Sequence, residues 1–503
     1  MRILNRHRGF CYGQPQKGRR RIGKTGGIGM KRQKDKKRKK VWQKAVCIGT
    51  AAFLCCALLP GCGKDNGAQQ GLRTAGEEAG TLQDHQTEGE SQGAASGQQE
   101  GGAPEILQGQ QTAAEYVRTD SLDETLMEST NGFAFHFGER LSADGENYFF
   151  SPYSICSALA VLDNAAGGAT KEQIESMLGI ADLSHYNQQL SFYMQKPQHA
   201  QANVQSANSL WINKNYPLAD AAYTDYLPLV GFYYDAEIWK ADFTGDPIGT
   251  RDEINRWVEE HTGGMIPHFK EEVDPKTAVS VINAVYFYGE WSFPFEANAT
   301  YEQTFHGQTR DTDVPMMHQG ELSLPYYEQG GLCGISVPYG DGSVVMNILL
   351  PAEDAEQSAA ELFGAMSDAE KNNFLVTLMN RESVQIWRLA IPKFTMDYSV
   401  RNMSQILEEL GMENAFYAGL ADFRGLADPE TTEFHVSDVN HVAKLEVDEL
   451  GSRAAAVTEI VTKDAAAMLL DDPVSFVADR SFLFLIQDKE TGMILFMGEV
   501  RDL

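Results

Sequence analysis

The chain has 503 residues, with 42 lysines and arginines against 70 aspartates and glutamates, for a formal net charge of −28. Seventeen of the bases fall in residues 1–61, where Asp35 is the single acid; the rest holds 25 bases against 69 acids, a formal charge of −44. So acidic a folded part argues against nucleic acid or an anionic membrane as its main partner, and length alone sets only a soft prior of two or three domains.

Residues 31–44 are densely basic and residues 45–59 apolar, a run too short to span a bilayer comfortably but suited to the core of a signal peptide. Leu59-Pro60-Gly61-Cys62 follows and resembles a bacterial lipoprotein processing box. That resemblance implies that residues 1–61 are a leader, with translation starting at Met1 or Met30. It implies too that Cys62 becomes the lipid-modified first residue of an exported protein, anchored to the bacterial membrane and facing outward. Gly18-Arg19-Arg20-Arg21-Ile22-Gly23-Lys24-Thr25 matches a phosphate-loop pattern, but no buried strand precedes it and no helix follows to aim amides at phosphate. Residues 62–114 are dominated by Gly, Gln, Glu and Ser; with so little apolar surface to bury they read as a disordered polar tether.

From residue 115 to 503 the periodicities change. Helical spacing runs over 123–141, over 152–166 with Ser151 as N-cap and Pro152 at the first helical position, and over 171–178, 247–261 and 399–410. Strand-like runs occupy 207–212, 278–288, 344–350, 384–391, 442–447, 482–486 and 493–497. Helices first, then strands far apart in sequence, predict an α+β domain with mixed sheets. Cys156 and Cys333 are compatible with one bridge or with two unpaired core thiols, and the second is expected. His261 and His268 lack a third partner at metal-ligand spacing, no G-x-S-x-G elbow occurs, and the chain reads as neither an enzyme nor a cofactor protein.

One segment is composed unlike the rest. From Ser452 every second residue, Ser452, Ala454, Ala456, Thr458, Ile460 and Thr462, is uncharged, while the other parity carries Arg453, Glu459 and Lys463. Strand side chains alternate between faces, so one face can be buried with no stranded charge. Alanine is poor in strands and a surface loop gains nothing from alternation, which points to a segment built for two states, exposed loop and inserted strand.

Here a resemblance enters. Glu449-Leu450-Gly451-Ser452-Arg453-Ala454-Ala455-Ala456-Val457-Thr458 resembles the hinge of the serpins, with Arg453 in place of the acid often found there. Phe149-Phe150-Ser151-Pro152-Tyr153-Ser154, Ile282-Asn283-Ala284-Val285-Tyr286-Phe287 with Trp291, Phe476 to Phe484, and Phe496-Met497-Gly498 resemble further serpin motifs, in the family's order. The resemblance implies a fold of three β-sheets and about nine α-helices with an exposed reactive-centre loop. It implies a suicide inhibitor of serine proteases, with cysteine proteases second: the protease cleaves the loop, forms an acyl-enzyme, and is trapped when the freed strand inserts. Ser151, Ser154, Asn283 and His441 are implied as a polar cluster where the sheet parts, with Trp291, Lys393 and Glu449 at its upper opening. Counted from Gly451, the scissile bond is Ala465–Ala466, suiting elastase-like or subtilisin-like enzymes; Lys463–Asp464 and Met468–Leu469 lie within the uncertainty of the register. A monomer is expected, and the alternative is a non-inhibitory binding module on the same scaffold.

Overall fold

Local signals set most helix starts. In the computed structural model, which describes residues 103–110, 116–196, 202–353, 355–400, 403–430, 432–452 and 474–503, α1 (Glu124–Ala143) follows β1 (Glu105–Ile106). Asp123 caps α1 by accepting the Thr125 amide. After β2 (Tyr148–Phe150), Ser151 caps α2 (Pro152–Asp163) by accepting the Ser154 amide, with Pro152 at the first position. Then come α3 (Gly168–Leu178), α4 (Leu183–Met194), β3 (Ala202–Asn213), α5 (Leu227–Tyr234), β4 (Glu237–Ala241) and α6 (Pro247–His261), whose cap is Asp246. The strands β5 (Val279–Glu290), β6 (Thr300–His306), β7 (Asp311–Gln319), β8 (Leu322–Gln329), β9 (Leu332–Tyr339) and β10 (Val344–Pro351) follow. Helices α7 (Ala359–Gly364) and α8 (Asp368–Asn380) each begin with a capping box, Ser358 with Glu361 and Ser367 with Glu370. The chain ends through β11 (Ser383–Pro392), β12 (Phe394–Ser399), α9 (Met403–Glu409), β13 (Asp438–Asp448), β14 (Gly451–Ser452), β15 (Val474–Val477), β16 (Phe482–Asp488) and β17 (Ile494–Val500).

Nine α-helices thus accompany the sheets among the described residues. The central sheet has seven strands in the order β1-β4-β3-β5-β14-β13-β12, with β5 also paired to β13. The other ten strands join in one network because β8 pairs with β9 over residues 326–329 and with β11 over residues 322–325. Helix α2 lies between the central sheet and β17, and all twelve of its residues are buried. Helix α6 covers the opposite face of the sheet. Val281, Val285 and Phe287 of β5 therefore join the main core, whereas Ile282 and Ala284 pack in a second core with Ile254, Trp257 and Val258 of α6. A strand buried on both faces needs a near-continuous apolar run, and in the buried part of β5 the polar interruptions are Ser280 and Asn283.

Three local expectations shift. Ser399 ends β12, so the helix predicted from residue 399 is described from Met403. Its neighbour Val400 donates its amide to the His441 carbonyl, and pairing with β13 outweighs local helix propensity. The helix predicted over 152–166 stops at Asp163. Glu105–Ile106, inside the stretch read as tether, pair antiparallel with Lys240 and Trp239 of β4.

Candidate functional site

Strands β5 and β13 run parallel and in register from Ser280 opposite Asp438 to Tyr286 opposite Lys444. Above that seam the sheet forks, and β14 sits between them: Gly451 and Ser452 face Glu290 and Gly289 on one side, Asp448 and Val447 on the other. The reversal from β13 into β14 is built locally. Asp448 Oδ1 accepts the amides of Leu450 at 2.8 Å and Gly451 at 3.2 Å, an Asx-type turn. Gly451 has φ +155, and a Cβ there would lie 2.0 Å from the Gly289 carbonyl oxygen, so the position admits no side chain.

Ser452 is fully buried, and its Oγ lies 2.6 Å from the Tyr339 hydroxyl. Burial pushes the Tyr339 phenol far above its ordinary range, so it stays a neutral hydrogen-bonding group. Trp291 completes the wall. Its ring stacks on Tyr339 at 4.3 Å, its indole donates to the Asp448 carbonyl at 2.9 Å, and its amide donates to Leu450 O. Glu449 anchors the turn from outside: Lys393 Nζ donates to Oε2 at 2.7 Å, Thr300 Oγ1 to Oε1 at 2.9 Å, and the Phe295 amide to its carbonyl. Burial alone would raise the Glu449 carboxyl, but the bonds from Lys393, a backbone amide and Thr300 outweigh it and hold the group below the usual carboxylate range.

Lower in the seam lies the polar cluster. His441 Nε2 accepts the Ser151 amide at 3.0 Å, which makes the imidazole neutral and leaves its proton on Nδ1, 2.6 Å from Asn283 Oδ1. Burial holds the His441 pKa down to about 3. Asn283 Nδ2 in turn donates to Ser154 Oγ at 2.6 Å and to Asn208 Oδ1 at 2.7 Å, and Asn208 donates to Ser157 Oγ at 2.8 Å. Ser151 Oγ donates to the Leu495 carbonyl, tying α2 to β17. The network joins β3, β5 and β13 to the buried helix, so parting β5 from β13 must break the His441–Asn283 bond.

The structure therefore brings together Ser151, Ser154, Asn283 and His441 in one place, and Trp291, Lys393, Glu449, Gly451 and Ser452 in another. Arg453, Ala454, Ala455, Ala456, Val457, Thr458, the Ala465–Ala466 bond and Cys62 lie outside the described residues. Cys156 and Cys333 are free thiols. Sequence reasoning missed Tyr339, Asn208 and Ser157. Asn208 stands directly opposite Asn283 in the β3–β5 register, so an inward-facing asparagine on each strand was the available signal. Nothing local marks Tyr339, which is 113 residues from its partner Ser452.

Residues 128–503 match the sequence pattern of the family described as Serpin (serine protease inhibitor). The chain belongs to the serpin family. It is 33% identical over 391 residues to a serpin-like protein of Thermococcus kodakarensis, covering 77% of this chain and 88% of that one. It is 30% identical over 397 residues to intracellular coagulation inhibitor 2 of Tachypleus tridentatus, covering 77% and 93%. Among solved structures, the thermophilic serpin tengpin in its native state superposes with a TM-score of 0.68 at 29% identity, covering 79% of this chain and 98% of tengpin. Human thyroxine-binding globulin complexed with thyroxine gives 0.64 at 27%, covering 75% and 99%. Serpins are in the main protease inhibitors rather than catalysts, and some members are non-inhibitory. The mixed α+β serpin fold, with nine α-helices among the described residues and several β-sheets, is the fold observed, although the strands outside the central sheet are continuous through β8.

Proposed function

We propose that this serpin is a suicide inhibitor of elastase-like or subtilisin-like serine proteases that traps the acyl-enzyme by inserting its cleaved loop between β5 and β13. The carrying observation is β14: the first two hinge residues are hydrogen-bonded into the central sheet between the strands that must separate. With Ser452 seated, the alternation of the sequence puts Ala454, Ala456, Thr458, Ile460 and Thr462 on the same inward parity and the charges on the other. No proline interrupts residues 451–468, so no ladder donor would be missing. Trp291, Tyr339 and the Glu449–Lys393 pair act as the hinge's upper clasp, and His441–Asn283 as the bond insertion must open.

The chain is further proposed to be exported and held on the bacterial surface by lipid on Cys62, supported by the basic and apolar leader before that residue and the polar stretch behind it. One observation favours a second reading: thyroxine-binding globulin, named for a small-molecule ligand, has the same fold at 27% identity. A non-inhibitory binding module would carry the hinge without using it. Mixing with pancreatic elastase separates the two. The inhibitor yields a covalent complex that survives boiling in detergent, with the released loop fragment mapping the scissile bond; cleavage without a stable complex, or no reaction across a panel of serine proteases, supports the binding module.

A further inference from the structure

The β5–β13 seam has a third fastening, at its foot, apart from the hinge above and the polar cluster midway. Lys270 Nζ donates to Asp438 Oδ2 at 2.5 Å, and Asp438 is the first residue of β13, opposite Ser280 of β5. The pair is sheltered. The Lys270 side chain is 14% exposed, and Asp438 Oδ1 is buried and accepts no hydrogen bond, so Lys270 is what compensates the carboxylate. Packing does not close the foot, because a cavity of about 390 Å³ lies beside the pair, lined by Glu272, Asp274, Lys276 and His435 among others. Two uncharged bonds also cross there, from the Ser437 amide to the Val279 carbonyl and from the Ala278 amide to Ser437 Oγ.

The two partners belong to different halves of the sheet. Lys270 lies in the chain that leads from α6 into β5, and Asn255 of α6 grips its backbone reciprocally: Oδ1 accepts the Lys270 amide and Nδ2 donates to the Lys270 carbonyl, each at 2.8 Å. Helix α6 in turn rides on the β3–β4–β5 half. Glu237 Oε2 of β4 accepts the indole N–H groups of Trp239 and of Trp257 at 2.9 Å each. Trp257 and Val258 pack in one core with Trp211, Trp239 and Ile282, to which β13 gives only Val442 among the described residues. Neighbouring strands lie about 4.8 Å apart, so a strand entering the whole seam carries Asp438 that far from Ser280. A Lys270 held by Asn255 is then left about 7 Å from the carboxylate, beyond ion-pair contact.

We propose that Lys270 and Asp438 form a latch at the foot of the seam, made in the uncut chain and broken once a strand fills the seam, a proposal that rests on the inhibitor reading above. Both are positioning residues: they touch no protease and act by holding β13 against the half of the sheet that carries α6. The latch therefore stabilises the intact form alone. Removing either partner leaves the other charge sheltered and uncompensated there, a loss that the inserted form, with the two already apart, does not feel.

The test is calorimetry on the full chain, intact and nicked between Thr462 and Leu469, for Lys270→Met, Asp438→Asn and the double variant. Each single variant is expected to lower the midpoint of the intact form by about 2–4 °C, and the double variant by less than the sum of the two. None should move the midpoint of the nicked form. A pair that merely supports the fold lowers both forms alike, and that result overturns the latch while leaving the inhibitor reading intact. An intact form whose midpoint neither single variant moves overturns it as well. Failure of nicking to raise the midpoint of the unmodified chain removes the inhibitor reading, and this proposal with it.

Discussion

Nicking the loop between Thr462 and Leu469 is expected to raise the thermal unfolding midpoint, and the geometry of the seam sets the size of the rise. In the intact chain β5 and β13 pair directly over seven positions, about seven hydrogen bonds. Gly451 and Ser452 are already paired on both sides, so the ten residues from Arg453 to Thr462 are the ones that enter, exchanging that single interface for two and making about 20 bonds. The net gain is about 10 to 13. At ~0.5–1.5 kcal/mol each, hydrogen bonding contributes about 5–20 kcal/mol. Ordering the segment opposes this and burial of Ala454, Ala456 and Ile460 acts with it, which favours the lower half of the range. For a domain of about 390 residues the unfolding entropy is roughly 0.8 kcal/mol/K, so a gain of about 5–10 kcal/mol appears as a rise of about 6–12 °C. Calorimetry on intact and nicked protein reads it directly, with mass spectrometry confirming a single cut. A nick in an ordinary loop leaves the midpoint equal or lower. Equal midpoints for the two forms would refute insertion and favour the binding-module reading.

Ser452→Arg places a charge at a fully buried position whose hydroxyl meets Tyr339, a cost of several kcal/mol that should expel β14 and slow insertion; the variant should be cleaved at the same bond while the protease stays active, and inhibition at unmodified rate and stoichiometry would sink the insertion mechanism. Two buried groups should give opposite pH dependences of stability. Burial pushes the Asp163 carboxyl, 3.6 Å from Lys171 Nζ, up to about 7, so its contribution is present below pH 3.8 and lost as pH rises through 7, about 4 kcal/mol in all. His441, held down to about 3, contributes above pH 6.5 and loses about 5 kcal/mol as pH falls through 3. Between about pH 4 and 6.5 the two slopes cancel, so Asp163→Asn should show stability rising with pH relative to the unmodified chain; identical pH profiles by calorimetry would rule out the shift at Asp163. Cys62→Ala should release the protein from the membrane fraction into the soluble one, and membrane retention as before would count against lipidation.

Much of the helical framework was legible in the sequence because its signals are local. Ser151 before Pro152 marks the start of α2; helices α7 and α8 were not predicted, although the Ser-x-x-Glu spacings at Ser358 and Ser367 were an available local signal. The two-state character of the hinge was also legible, since the parity of residues 452–462 is a property of the chain itself. Which strands that segment touches was not. That Ser452 meets Tyr339, that Asn208 faces Asn283, and that His441 takes the Ser151 amide depend on registers between strands tens to hundreds of residues apart. A one-residue slip in any of them turns every side chain to the other face, and nothing within a single strand specifies the partner's phase. The exposure of Trp387 belongs to the same class. Its sequence marks only a strand, and the bulge against β15, formed where a segment 88 residues later pairs alongside, is a feature of the tertiary structure.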